Sequence, residues 1–236
     1  MTSLNGAVVL VTGANGGIGT HFVRETLARG AAKVYATART PRQWDDDRIV
    51  PLTLDVTDPA SIRAALAAAQ DVTVLINNAG ASVSTPGILA HTDEEIRRNV
   101  ETNFLGPLFL ARAFAPTLST KDNAAIIDIH SALAWWAVAG IYSATKAALW
   151  SATNSLRLEL APAGVQVLGV HVGYVDTAMA AHSTEPKVDP ADLVASVFEA
   201  LEAGEHEVLA DQTSVQLKAA LSAPVESVYP QLAVRP

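Results

Sequence analysis

The sequence predicts an α/β fold in which a parallel, doubly wound sheet lies between two layers of helices. Apolar runs rich in Val, Ile and Leu alternate with amphipathic helical stretches along most of the chain. That alternation is the pattern of strand–helix–strand units with right-handed crossovers. The runs are continuous rather than alternating in polarity, so both faces of the sheet must be covered. A glycine cluster joins the first run to the first helix. With 236 residues, 50% of them hydrophobic and 17% charged, the chain can bury one large core and reads as a single domain, 1–236.

Residues 7–12 (AVVLVT) form the first strand, and Gly17 to Arg29 the first helix, with Gly30 just past its end as a cap. Strands follow at 33–37, 49–55, 72–77, 124–130 and 165–172, with a short last strand near 207–209. Helices fill the intervals at 59–69, 93–118, 142–160 and 190–203. Asp58-Pro59 and Asp189-Pro190 each place a capping acid before a proline at the first helical position, where the missing N–H is harmless. Gly164 closes the helix before the sixth strand. Inside 93–118, Pro107 has no N–H to give the Asn103 carbonyl, so the regular winding is expected to break there. The freed carbonyl is then available to hold a water beside Lys146. The polar segment 178–189 reads either as a surface connection or as a mobile substrate lid. The tail from Ser222 to Pro236, with three prolines, receives no assignment.

Composition narrows the chemistry. Zero cysteine excludes disulfides, thiolate catalysis and Cys-based zinc sites. The six histidines (21, 91, 130, 171, 182 and 206) have no metal-ligand spacing, so no metal site is expected. A net charge of -8 argues against nucleic acid as a partner, while leaving room for a local basic spot. The longest apolar stretch, Ala132 to Tyr142, is half of the roughly 20 residues a spanning helix needs, and no membrane partner is expected. The first six residues carry no basic group and run directly into a strand, which reads as a cytoplasmic chain without a signal peptide.

Thr12 to Gly19 reads TGANGGIG. Gly13, Gly17 and Gly19 permit a tight turn and close backbone approach, so that a pyrophosphate rests on the unpaired N–H groups and positive end of the helix, with Asn15, Gly16 and Ile18 lining the same turn. The second strand ends in Ala38-Arg39 where an acid would favour NAD(H). A guanidinium there suits a 2′-phosphate, with Arg42 near enough to assist, so NADP(H) is favoured and NAD(H) remains the alternative. Asp55, followed by Val56 at the end of the third strand, is placed to accept from an adenine amino group or to cap a turn.

Tyr142, Lys146, Leu149, Ala152, Leu156 and Leu160 share one broad helical face. A tyrosine with a pKa of about 10 is a poor acid–base group. An ammonium about 5 Å away, at an effective dielectric of about 20, favours phenolate by about 3 kcal/mol, or about two pK units. Ser131 ends the fifth strand, where ligands sit in open α/β sheets, and its hydroxyl can donate to a substrate oxygen.

Taken together, TGANGGIG at 12–19, Asp55, NNAG at 77–80, Asn103, Ser131 and YSATK at 142–146 resemble the short-chain dehydrogenase/reductase family over about residues 7–205. The resemblance implies a Rossmann-type sheet of about seven strands, a nicotinamide cofactor and an Asn-Ser-Tyr-Lys tetrad at Asn103, Ser131, Tyr142 and Lys146. It implies that Asn77, Ala79 and Gly80 line the adenine ribose and that Lys146 and Tyr142 approach the nicotinamide ribose. Val175 and Thr177 match the stretch that holds the carboxamide, with Val172 where the family has proline. Ser131 and Tyr142 are eleven positions apart, about two fewer than is usual in the family. The short loop holds Leu133, Trp135, Trp136 and Val138, and Leu133, Trp136, Tyr174 and Met179 are expected to line a substrate pocket for a hydrophobic or aryl ketone.

The expected reaction is hydride transfer between NADP(H) and a ketone or secondary alcohol, with Tyr142 as general acid/base. An NAD-dependent alcohol dehydrogenase and a catalytically silent dinucleotide sensor are the rival readings. The resemblance also implies a homodimer or homotetramer.

Overall fold

The structure, a computed structural model, describes residues 2–82 and 87–232. Its centre is a seven-stranded sheet in the order β3-β2-β1-β4-β5-β6-β7, with every neighbouring pair parallel. The strands are β1 Val8–Thr12, β2 Lys33–Ala38, β3 Ile49–Thr53, β4 Val74–Asn77, β5 Ala125–Ile129, β6 Gln166–His171 and β7 Glu207–Leu209. The chain runs outward from β1 to β3 and then returns to β4 on the other side of β1. The order therefore reverses between β1 and β4, and a crevice opens beyond their carboxyl ends.

Helices cover both faces because the strands are apolar on both. On one face α1 (Gly17–Ala28) and α6 (Pro190–Glu202) pack together over Val9, Val11, Val34, Ile76, Ile127 and Leu168. Phe22 and Phe198 meet edge to face there, their centroids 5.5 Å apart. On the other face α2 (Pro59–Ala68), α4 (Gly106–Leu118) and α5 (Ile141–Leu160) cover Leu10, Leu75, Ile126 and Val167. Asp58 and Asp189 cap their helices as expected, accepting from the N–H groups of Ala60 and Ala191. Gly30 and Gly164 take φ of +87° and +72°, the left-handed conformation that ends a helix cheaply only at glycine.

The long helix expected over 93–118 is interrupted where Pro107 required it. Helix α3 (Asp93–Val100) passes into one π-helical turn, Glu101–Leu105, before α4 begins. The Gly106 N–H bonds to the Glu101 carbonyl five residues back. Such wide turns absorb a proline without stopping the helix. Gly106 also lets this turn lie against Val56, since a Cβ there would come within 3.0 Å of the Val56 carbonyl.

Beyond β7 the chain forms α7 (Gln212–Ala219), and a short α8 (Val225–Val228) supplies order in the tail that begins at Ser222. Tyr229 follows α8, and its hydroxyl accepts from the Ala137 N–H. Among the described residues, no helix is long and apolar enough to cross a membrane.

Phe22 is fully buried. Phe22→Ala is expected to lower unfolding free energy by about 3–5 kcal/mol, the range for deleting a buried aromatic ring, as measured by chemical denaturation.

Candidate active site

The glycine turn after β1 lies at the mouth of the crevice. Gly13 and Gly17 have φ of +68° and +52°. A Cβ at Gly19 would stand 2.2 Å from the Gly13 carbonyl oxygen, so the turn closes only with glycine there. Gly16 precedes α1, has open space about its Cα and supplies no side-chain cap, and the first turn of α1 carries no acid. The first amides of α1 therefore face the crevice unscreened, an arrangement suited to a phosphate. Asn78, whose role the sequence analysis missed, bonds through Nδ2 to the carbonyls of Thr12 and Gly13 at 2.8 and 3.3 Å. Its backbone N–H, like that of Ala79, donates to the Thr12 hydroxyl. The signal lies in NNAG, whose second asparagine, not the first, reaches the glycine turn.

A cleft of about 1470 Å³ runs from this turn across the carboxyl ends of the strands. Gly13, Asn15, Gly16, Gly17, Ile18, Arg39, Asp55, Val56, Ala79, Gly80, Val175 and Thr177 line it, as do Ser131, Tyr142 and Lys146. Gly19 lies behind the turn. Asn77 does not line the cleft: it is buried, and its side chain donates to Asp128 and to the Pro107 carbonyl. Its place at the end of β4 turns it inward, and its neighbour Asn78 outward, because strand side chains alternate. At the adenosine end, Arg39 is exposed and helps hold the Asp55 carboxyl below its ordinary range, after the larger effects of the Thr57 N–H and hydroxyl. Asn15 ties the glycine turn to the loop after β2 through the Thr40 carbonyl and the Arg42 N–H. The Arg42 guanidinium stacks on Trp44 at 3.8 Å.

Three groups meet at the other end. Ser131, just past β5, caps a short helical turn through its hydroxyl, which accepts from Leu133 N–H. Tyr142 and Lys146 stand one turn apart on α5, and the ammonium donates to the Ile129 carbonyl at 2.7 Å. It lies 5.7 Å from the centroid of the tyrosine ring. Asn103, the fourth residue of the expected tetrad, is fully buried in the π turn and does not line the cleft. Its amide accepts from Ala81 N–H and donates to the Ala81 carbonyl, both at 2.8 Å, and also reaches Asn99 and Thr145. It clamps the chain after β4 against α5.

The expected depression of the tyrosine pKa is not found. Burial pushes the Tyr142 phenol above its ordinary value, with the Ser131 hydroxyl pulling the other way. Lys146 is itself lowered to about 8 by burial, with Asp128 opposing. Both charged forms suffer from desolvation, and the ammonium bonds to the Ile129 carbonyl.

Leu133, Tyr174 and Met179 line the cleft near this end, and His182 stands edge-on to Tyr174. Trp136 does not line it. The loop closes through Ser143, which donates to the Trp136 carbonyl and accepts from the Ala139 N–H, so the Trp136 side chain turns toward solvent. Trp135 packs inward, stacked on His171 at 3.9 Å. The segment 178–189 is pinned at its base, where Val188 bonds to Tyr174 and Asp176. Arg98, Glu101 and Thr102 also reach the cleft from α3 and the π turn. Nothing in their spacing marked them.

The family model for short chain dehydrogenases matches residues 7–188. The chain belongs to that family of oxidoreductases. It is 36% identical to a short-chain dehydrogenase of Burkholderia cenocepacia whose crystal structure is a complex with NADP; the two superpose with a TM-score of 0.91 over 99% of this chain and 100% of the other. An NADPH-bound carbonyl reductase from chicken fatty liver is 30% identical, with a TM-score of 0.76 over 85% and 92% of the two chains. A short-chain dehydrogenase of Penicillium crustosum is 39% identical over 72% of this chain and 66% of its own length.

Burial lowers the His171 pKa to about 3, so the ring is neutral in the folded chain. An unfolded histidine titrates near 6.5, so stability from His171 is complete above that pH and is lost as pH falls toward 3, by up to about 1.36 kcal/mol per pH unit. Denaturation of wild type and His171→Gln between pH 7 and pH 4 is expected to show the acid slope reduced in the variant.

Proposed function

We propose that this chain is an NADP(H)-dependent reductase of hydrophobic or aryl ketones. The observation that carries the reading is the convergence of Ser131, Tyr142 and Lys146 at one end of a cleft whose other end is the glycine turn and Arg39. Family membership and the NADP-bound relative support it.

The residues present fit such a cofactor. The uncapped start of α1 and the glycine turn would hold the pyrophosphate, and Arg39 would pair with a 2′-phosphate at the exposed rim. Lys146 would donate to the nicotinamide ribose, and Thr177 and the Val175 backbone would hold the carboxamide. The bound cofactor supplies the hydride that reaches the carbonyl carbon.

The chain's own part is to hold the carbonyl and deliver the proton. The Ser131 hydroxyl donates to the ketone oxygen and fixes it beside the phenol. The raised pKa keeps Tyr142 protonated at neutral pH, the form a reduction needs, and the proton passes from its Oη to the developing alkoxide. Lys146, with a pKa near 8, keeps a cation beside that transfer. Leu133, Tyr174 and Met179 give the substrate end an apolar lining, and 178–189 serves as a lid that moves about its pinned base.

Tyr142→Phe is expected to lose turnover by about 10²–10⁴, the range for a general acid, and to bind NADPH as the wild type does in a fluorescence titration. Near-normal turnover contradicts the role. Arg39→Ala is expected to raise the NADPH dissociation constant about tenfold, equivalent to about 1.4 kcal/mol, with that for NADH unchanged.

A further inference from the structure

Beneath this site, buried groups from β5, α5 and β6 join in one chain of hydrogen bonds. Asp128 Oδ2 meets Thr153 Oγ1 at 2.7 Å, and Thr153 Oγ1 meets His130 Nε2 at 2.9 Å. His130 Nδ1 meets His171 Nε2 at 3.0 Å, and His171 Nδ1 meets the Ser131 carbonyl oxygen at 3.3 Å. All five residues are buried. Trp135 roofs the His171 ring, and Gly169 makes room for the other, since a Cβ there would stand 2.7 Å from His130 Cε1.

Each of these four gaps needs one proton. The threonine hydroxyl and two neutral imidazoles bring three, and a carbonyl oxygen brings none. The Leu149 carbonyl also lies 2.8 Å from that hydroxyl, but it already takes the helical N–H of Thr153, which leaves the hydroxyl proton to the chain. An ionised Asp128 beside two neutral rings therefore leaves two acceptors facing each other in one gap, in a dry interior where an unmade bond is costly. The fourth proton must sit on Asp128, His130 or His171. In one complete arrangement Asp128 is a carboxylic acid donating to Thr153, which donates to His130 Nε2, and both rings carry their proton on Nδ1. In a second, protons have crossed only the first two gaps, so that Asp128 is a carboxylate, His130 an imidazolium and His171 neutral. In the third, three protons have each crossed one gap. Asp128 is then a carboxylate, His130 carries its proton on Nε2, and His171 is an imidazolium.

The three arrangements hold the same number of protons, and desolvation separates them. The second and third each bury an anion and a cation, while the first buries none. The surrounding charges are mixed. Lys146 and Arg157 favour a carboxylate at Asp128 but oppose an imidazolium at either His130 or His171, and Lys218 opposes one at His171. Glu207 lies 3.7 Å from His171 Nε2 and is ion-paired with Lys218. Burial is the largest influence on all three titratable members, raising Asp128 and lowering both histidines.

We propose that Asp128, Thr153, His130 and His171 form a net-neutral proton wire, with the extra proton on Asp128, that positions Ser131 and the Ile129 carbonyl for catalysis. The catalytic part rests on the reading of the chain as a ketone reductase. Three consecutive residues of the wire's strand end, Ile129 to Ser131, carry the carbonyl that holds Lys146, a ring of the wire and the catalytic hydroxyl. Asn77 completes the wire's far end by donating to Asp128 Oδ1 at 2.8 Å.

Nitrogen-15 NMR of the histidine-labelled full chain at pH 7, with the two rings assigned through His130→Asn and His171→Asn, tests the wire without any turnover. Both rings are expected to be neutral Nδ1–H tautomers. The infrared difference between wild type and Asp128→Asn is expected to contain the stretch of a protonated carboxyl. An imidazolium, an Nε2–H ring or a carboxylate band overturns the assignment. For positioning, Thr153→Val is expected to lower kcat for ketone reduction about tenfold or more, with NADPH affinity unchanged and Thr153→Ser restoring the rate. Wild-type kcat in Thr153→Val, or no rescue by serine, overturns it. A chain that reduces no ketone but gives the expected spectra sinks the ketone reductase reading and leaves the wire standing.

Discussion

A buried ammonium held by one backbone carbonyl is the constraint on which the rest of the site depends. Lys146 has given up nearly all its water and takes back one strong bond, to Ile129 at 2.7 Å. That bond fixes the register of α5 against the end of β5. With it, Tyr142, one turn earlier, and Ser131, two residues past Ile129, come to one end of the cleft. The short loop between them must then span the gap, and Gly140 makes this feasible: it takes φ of +56° at the start of α5, where a Cβ would stand 2.7 Å from His91 Cε1.

The same economy governs the other end. A net charge of -8 does not exclude an anionic ligand, because the groups that would receive one are local. The unscreened amides of α1, a turn that tolerates no side chain at Gly19 and one exposed guanidinium gather where the strand order reverses. The absence of thiols costs the proposed chemistry nothing, since it runs on a phenol, a hydroxyl and an ammonium.

Much of this was legible in the sequence. The strands were readable because they are buried on both faces and therefore continuous in Val, Ile and Leu. The break near Asn103 was readable because proline lacks a definite atom. What escaped depends on directions and distances that a sequence does not carry. Asn77 and Asn78, or Trp135 and Trp136, are adjacent and alike, yet one of each pair turns inward and the other outward. His130 and His171 are separated by 41 positions and meet only through the register of β5 on β6. The sign of the Tyr142 shift was missed because an estimate from charge alone omits the desolvation that both partners share.

The proposed function stands or falls on delivery of a hydride from NADPH to a ketone carbon in this cleft. Incubating the chain with an aryl ketone and NADPH deuterated at the transferable C4 position, then locating the label by mass spectrometry and NMR, tests that delivery directly. One deuterium is expected on the carbinol carbon of the product alcohol. Tight binding of NADPH with no labelled alcohol across a broad panel of ketones would contradict it.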